Sequence, residues 1–361
     1  MSYKQRQLPV FELFCYNRFM CISNKILAWY RPEDRDLPWR RTEDAYHIWV
    51  SEIMLQQTQA QTVIPYYERF MAKFPTAEAL ADADEEDVLK MWQGLGYYRR
   101  ARHLLEAARI VKDEGMPSDF KTLKQLPGIG DYTAAAIASI AFHEPVAAID
   151  GNLLRIYSRL YCITEPVDRS KTKRRIFERA NDDISRTRPG DFNQAMMDLG
   201  NKICTPTRPL CLLCPLREEC RAFKEGVADE LPHKTPKKKQ ARENYTLLLL
   251  DLDGDYLVEK RTEGLLQAMW GFPLLSGHLK KEDIQKYLSE RDFMIEDMRE
   301  MRDYRHVFSH KIWNVSVVYV KLKTMVCAED RYTWANRAAL EGVYAIPSAF
   351  QPALEVIDAL D

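Results

Sequence analysis

The sequence predicts two domains of different class, an all-α domain followed by an α+β domain, and three observations predict it. Through the first two thirds of the 361-residue chain, apolar residues recur every three to four positions. In the last third the pattern alternates, in β-branched and aromatic runs. Between the two lies a stretch with Pro232, Pro236, Lys234, Lys237, Lys238, Lys239 and Arg242 and no apolar periodicity, which reads as an exposed linker. The reading divides the chain into an N-terminal extension (residues 1–24), an all-α domain (25–225), a basic linker (226–243) and an α+β domain (244–361).

In the first domain the helical spacing predicts helices over Ile48–Thr62, Ala79–Trp92, Arg99–Lys112, Tyr132–Phe142, Leu153–Tyr161 and Lys173–Ile184. In the second, Tyr245–Asp251, a turn at Asp253-Gly254-Asp255 and Tyr256–Lys260 predict a hairpin. His306–Phe308 and Trp313–Leu322 read as further strands, and Asp283–Ser289 and Pro352–Leu360 as helices.

No apolar run approaches the roughly 18 residues of a membrane-spanning helix. Glu12, Asn17 and Arg18 interrupt the N-terminal apolar residues, so no signal peptide is read there. Eight cysteines without a secretory signal predict a reducing compartment, and the expected location is the bacterial cytoplasm, near the nucleoid. Cys15, Cys21, Cys162 and Cys327 have no metal-ligand spacing. A net charge of -1 argues against a globally basic nucleic-acid binder but leaves room for a local basic path. Lys171, Lys173, Arg174 and Arg175, and the linker lysines, are the two basic runs.

The most specific local feature is Cys204, Cys211, Cys214 and Cys220, spaced C-x6-C-x2-C-x5-C. Pro206, Pro209 and Pro215 interleave them and favour a loop. Zinc ribbons use paired C-x2-C knuckles, whereas one C-x2-C between longer gaps reads better as the ligand set of a [4Fe-4S] cluster. Zinc, disulfides and simple packing are the competing readings.

Next comes Leu126-Pro127-Gly128-Ile129-Gly130-Asp131-Tyr132-Thr133, between a helical segment and an Ala-rich helix. Two glycines one residue apart permit a tight turn that turns N–H groups outward at a helix start, where phosphate binds. This is the sequence form of a helix–hairpin–helix, which grips the DNA backbone without reading bases. An ordinary helix corner is the alternative. Twenty residues on, Asp150 precedes a helix; as its N-cap it is expected to stay ionised. Glu52 shares a helical stripe with Ile48 and Leu55, where burial would raise its pKa, unless that face is turned to solvent. A protonated acid and an anionic carboxylate together fit acid-assisted glycosidic cleavage.

The hairpin, Asp150 and the four cysteines together resemble the helix–hairpin–helix superfamily of DNA glycosylases. Within it the chain resembles the A/G-specific adenine DNA glycosylase family. Leu37-Pro38-Trp39-Arg40, Val50–Thr58, Gly94-Leu95-Gly96-Tyr97-Tyr98, Val146–Asn152 and Phe192-Asn193-Gln194-Ala195 carry the likeness, which runs from about Leu27 to the C-terminus. The lyase-type relatives have a lysine two residues after the second hairpin glycine; this chain has Tyr132, which implies a glycosylase without a Schiff-base step.

The resemblance implies base flipping from double-stranded DNA carrying A opposite 8-oxoguanine or G, by a monomer that does not bind membranes. Gln57, Leu95 and Tyr97 would wedge into the duplex. Trp39, Arg40 and Gln194 would line the adenine pocket, and Gly128 and Gly130 would meet phosphate. Glu52 would protonate the base and Asp150 would stabilise the sugar cation, with Tyr132 and Asn152 holding Asp150 and water in place. Cys204, Cys211, Cys214 and Cys220 would bind the [4Fe-4S] cluster. The second domain would be Nudix-like, with Phe308, Ser309 and His310 at the 8-oxoguanine. No Gly there has a Glu six residues later, so the Nudix metal box is missing and pyrophosphatase activity is not expected. A thymine-glycol-type glycosylase/lyase and a non-enzymatic iron–sulfur DNA-binding protein are the alternative readings.

Overall fold

The computed structural model describes residues 22–360 apart from 32, 34, 35, 237–239, 309 and 325–330. The readings for Cys15, Cys21, Cys327, Ser309 and the three central linker lysines lie outside the described residues. Two compact units form: Met1–Asp82 with His103–Pro236, and Ala83–Arg102 with Lys237–Asp361.

The first unit is helical. It contains α1 (residues 22–29), a 3-10 turn at Pro38–Arg40, α2 (Ala45–Leu55), α3 (Ala60–Lys73) and α4 (Ala77–Ala81). After α5 (Glu85–Trp92), which belongs to the second unit, come α6 (Arg99–Glu114), α7 (Phe120–Leu123), α8 (Asp131–Ala141), α9 (Gly151–Leu160), α10 (Ser170–Asp183), α11 (Pro189–Lys202) and α12 (Arg221–Lys224). Local chemistry sets several starts. Asp44, Thr76, Asp119 and Asp150 accept backbone N–H bonds at the N-termini of α2, α4, α7 and α9. Helix α2 is buried over most of its circumference, from Tyr46 to Met54, so its one acid cannot escape to solvent. Ile26, Tyr157, Ile176, Phe192 and Leu199 join α1, α9, α10 and α11 in one apolar cluster, each side chain contributing about 2 kcal/mol by burial.

Two expected helices are each broken in two. Ile48–Thr62 divides at residues 56–59, where Gln57 takes a left-handed φ of 58°. Ala79–Trp92 divides at Asp82–Asp84, whose short polar side chains favour helix ends. Helix α11 was not among the expected helices. It opens on Pro189-Gly190 and carries Asn193, Gly200 and Asn201, which dilute the periodic signal.

In the second unit a seven-stranded mixed sheet runs in the order β3-β2-β1-β6-β5. The strands are β1 (Ala241–Leu252), β2 (Asp255–Lys260), β3 (Trp270–Gly271), β4 (Leu274–Ser276), β5 (Ile295–Val307), β6 (Lys311–Leu322) and β7 (Tyr332–Asn336). Strands β1 and β6 are parallel over Ala241–Asp251 and Lys311–Lys321; β4 also pairs with β1 and β7 with β2. Alternation sends Leu247, Leu249, Val315 and Val317 to one face and Leu248, Leu250, Val318 and Val320 to the other. Helix α13 (Lys281–Ser289) packs on the second face through Ile284 and Leu288. Helices α14 (Arg337–Gly342) and α15 (Gln351–Asp358) cover the first through Leu340, Leu354 and Ile357. Among the described residues, no helix is long and apolar enough to cross a membrane.

Candidate functional site

A cleft of about 660 Å³ opens in the helical unit, lined among others by Trp39, Arg40, Glu52, Gln57, Tyr132, Asp150, Asn152 and Gln194. These residues come from the 3-10 turn, α2 and the α2–α3 break, α8, the α9 N-terminus and α11, so the chain assembles the cleft from segments far apart in sequence, its lining running from Leu37 to Asn201.

Glu52 projects from α2 and is only 5% exposed. Its Oε2 is buried without a hydrogen-bond partner. Desolvation pushes its pKa up to about 7, a hydrogen bond with Tyr132 and the Arg40 charge pull it back, and the Asp150 charge adds to the rise. The same carboxylates, and above all burial, raise the Tyr132 hydroxyl well above its ordinary value. That hydroxyl also lies 3.6 Å from Met197 Sδ.

Asp150 caps α9: Oδ1 accepts from Leu153 N–H (2.8 Å) and Oδ2 from the Asn152 amide (2.7 Å). Its pKa was expected to be held low by such donors. It is raised instead, because burial outweighs the bonds from Leu153 and Asn152 and the nearby Arg155. Asn152 is itself held. Its Oδ1 accepts from Arg155 Nη2 at 2.8 Å, and Arg155 also donates to Gly200 O (2.8 Å) and Cys204 O (2.7 Å). Asp150, Asn152, Arg155 and the backbone of Cys204 therefore form one connected chain.

Gly200 on α11 makes room for this arrangement. A Cβ there would stand 2.6 Å from Asn152 Cβ and 2.8 Å from its Oδ1. Gly200→Ala is expected to leave the helix intact, alanine being the better helix former, while displacing Asn152 from Asp150. Base release should fall by about 100-fold in single-turnover kinetics, with the thermal midpoint lowered by the overpacking but the protein still folded at the assay temperature; an unchanged rate would show that Asn152 does not set the site.

Arg40 and Gln194 line the cleft, but each already has a partner that sequence reading missed. Arg40 forms a two-pronged bond with Asp198 (2.7 and 2.9 Å), both side chains buried. Its guanidinium is therefore a wall and a fixed charge more than a free donor. Tyr30 donates to Gln194 Oε1 at 2.7 Å, which fixes the amide orientation and leaves the NH2 as its donor group. Trp39 packs edge-on against Tyr67 with ring centroids 5.3 Å apart. Asn193, next to Gln194 and fully buried, donates to Ser139 Oγ and Val146 O and accepts from Ala148 N–H, pinning the segment before Asp150.

The hairpin joins α7 to α8. Gly128 has a φ of 76°, and a Cβ there would stand 2.8 Å from His103 Cβ, so only glycine fits. Gly130 is the α8 N-cap and has open space beside it, which leaves its backbone approachable. Of the three wedge candidates, Gln57 is exposed and Tyr97 is 45% exposed, both with left-handed backbones. Leu95 is only 6% exposed and packs inward. Arg100 and Trp92 brace the Gly94–Tyr98 turn by donating to Gly96 O (3.0 and 3.1 Å).

Cys204, Cys211, Cys214 and Cys220 line one small cavity, together with Arg159. The Arg159 side chain is 1% exposed. It donates to Leu231 O, Thr205 O and Pro206 O, and to Cys204 Sγ at 3.2 Å, with no carboxylate among these partners. Phe308 and His310 sit at the β5–β6 turn, where Phe308 N–H donates to Lys311 O.

Residues 50–181 match the family described as HhH-GPD superfamily base excision DNA repair protein, and residues 245–356 match the NUDIX domain family. An adenine DNA glycosylase of Arabidopsis thaliana is 37% identical over 83% of this chain and 57% of its own length. One of Buchnera aphidicola is 34% identical over 83% of this chain and 86% of its own length. The solved structure of a thermostable thymine-DNA glycosylase matches 60% of this chain and 99% of its own, with a TM-score of 0.53 and 28% identity. The chain thus spans little more than half of the plant relative but nearly all of the bacterial one. A relative 34% identical over 83% of this chain and 86% of its own length, with the matched helix–hairpin–helix model, places the chain in the adenine DNA glycosylase family of helix–hairpin–helix base excision repair proteins.

Proposed function

We propose that the protein is a monofunctional glycosylase that releases adenine mispaired with 8-oxoguanine or guanine, residues 25–225 cutting the bond and 244–361 reading the opposite base. The observation that carries this reading is the buried Glu52, with a pKa of about 7 and an unpaired oxygen, in one cleft with the capped Asp150. A flipped adenine would stand between Trp39 and Gln194. Glu52, as the acid, would donate its proton to N7. The bond between C1′ and N9 would break with its electron pair leaving on the base. Asp150 would stabilise the oxocarbenium-like sugar, and water, held near Asn152, would add to C1′ and lose its proton to a carboxylate. Gly128 and Gly130 would meet the backbone phosphate, and Gln57 and Tyr97 would fill the gap left in the stack.

The cysteine loop fits a [4Fe-4S] cluster held by Cys204, Cys211, Cys214 and Cys220. Among the described residues no group of three or more His, Cys, Asp or Glu is placed to hold a metal ion; the reading rests on the C-x6-C-x2-C-x5-C pattern and on the four thiols lining one cavity. An anionic group there would also answer the buried Arg159 charge. When bound, the cluster would close the 204–220 loop; the cleavage itself transfers no electrons.

Incubation with a duplex containing A opposite 8-oxoguanine is expected to yield a nick only after alkali. Nicking without alkali, with a borohydride-trapped adduct, would instead indicate a lyase; DNA binding without base release from any mispair would indicate a non-enzymatic protein.

A further inference from the structure

The β5–β6 turn rests on an acid that the excision chemistry does not use. Glu243, on β1, lies beside Trp313 in the parallel register with β6. Its carboxylate gathers three donors: Lys311 Nζ at 2.7 Å, Trp313 Nε1 at 3.1 Å and the Tyr245 hydroxyl at 3.0 Å. Trp313 is thereby fixed at its polar edge, and its ring makes the floor for the turn. Phe308 meets it edge-on at 4.8 Å between centroids, and His306 meets Phe308 at 4.5 Å. Tyr245 packs on Trp313 at 5.0 Å, and the Arg261 guanidinium lies 5.9 Å from the same ring. From the other side, the Gln240 amide donates to Phe308 O at 2.8 Å. Phe308 is thus seated on a buried ring whose one polar group is bonded to the Glu243 carboxylate.

We propose that Glu243 is a positioning residue for reading the base opposite the adenine. It touches no DNA. By fixing Trp313 and Lys311 it holds Phe308 and His310 at the spacing needed to tell 8-oxoguanine from guanine. The inference rests on the proposed reading that residues 244–361 meet the base opposite the adenine, with Phe308 and His310 placed there as the resemblance implies. The two bases differ at this edge by one proton and one oxygen, so discrimination needs a turn held to a fraction of a hydrogen-bond length.

The test is single-turnover adenine release from duplexes carrying A opposite 8-oxoguanine and A opposite guanine, using the full chain. Glu243→Ala is expected to reduce the rate preference for the 8-oxoguanine duplex roughly tenfold, the size that one or two lost hydrogen bonds produce, with the guanine duplex unchanged. Glu243→Gln, whose amide oxygen still accepts from Trp313 and Tyr245, should restore most of the preference. An equal fall on both duplexes, or no rescue by glutamine, would mark Glu243 as merely structural and overturn the inference. A wild-type preference kept intact in Glu243→Ala would overturn it alone. No preference in the wild type would overturn the substrate reading together with it.

Discussion

Glu52→Gln is expected to slow adenine release by about 10³-fold while leaving mispair binding within a few-fold of the unaltered protein. Glutamine keeps the volume and fits the same buried slot on α2, but an amide has no proton to give at neutral pH. Rapid-quench kinetics with a filter-binding control separates the two effects; excision at the normal rate would remove Glu52 from the chemistry. The sign of the pH dependence follows from its raised pKa. The acid is the working form, so the rate should hold below pH 7 and fall as pH rises through about 7, and the residual rate of the variant should lack that limb. Stability moves the same way. Below the unfolded pKa near 4.5 both states carry the proton; between 4.5 and about 7 only the folded state does, so stability is lost as pH rises through that window. With 1.36 kcal/mol per unit, the cost of ionising Glu52 is on the order of 3 kcal/mol. Above pH 7, Glu52→Gln should therefore melt higher than the unaltered protein, a trade of stability for function that few other positions would show.

Asp150→Asn should lower single-turnover release by about 10³-fold, the size of losing one well-placed charge opposite a developing cation. The substitution tests charge alone. Asparagine caps helices about as well as aspartate, so the Leu153 N–H bond survives and the thermal midpoint should move by only a degree or two. The Asn152 amide, which now donates to Asp150 Oδ2, would face either an oxygen or an NH2 of the new side chain, and the first orientation keeps the geometry. A rate within tenfold of normal would assign Asp150 to capping only. The doubly substituted protein should be little slower than either single variant, because acid and anion act on one transition state.

What the sequence disclosed was local. Two glycines one residue apart, four cysteines in seventeen residues and an acid on an apolar stripe each express their meaning within a turn or two of chain. The alternation of β1 and β6 was legible for the same reason. Pairings across distance were not. Arg40 with Asp198 and Tyr30 with Gln194 join residues 158 and 164 positions apart, and no periodicity connects them. Helix α11, which supplies Gln194, Met197, Asp198 and Gly200, was missed because its polar and glycine positions serve neighbours instead of a continuous apolar stripe. Leu95 and Tyr97 carry the same reading in the sequence but differ in exposure, 6% against 45%, and a motif does not display depth. The rise in the Asp150 pKa was hidden because donors are visible in a motif and depth of burial is not.

The bonds from Arg155 to Asn152, Gly200 and Cys204 also impose an order in time. The ribosome releases Glu52 first, Asp150 about a hundred residues later, and Cys204 last. At roughly 5–20 residues per second, the acid is in the growing chain for about 10–30 seconds before the segment that steadies its partner carboxylate exists. A nascent chain therefore carries the hairpin at Gly128 and Gly130 before it carries the whole hydrogen-bond network that steadies Asp150.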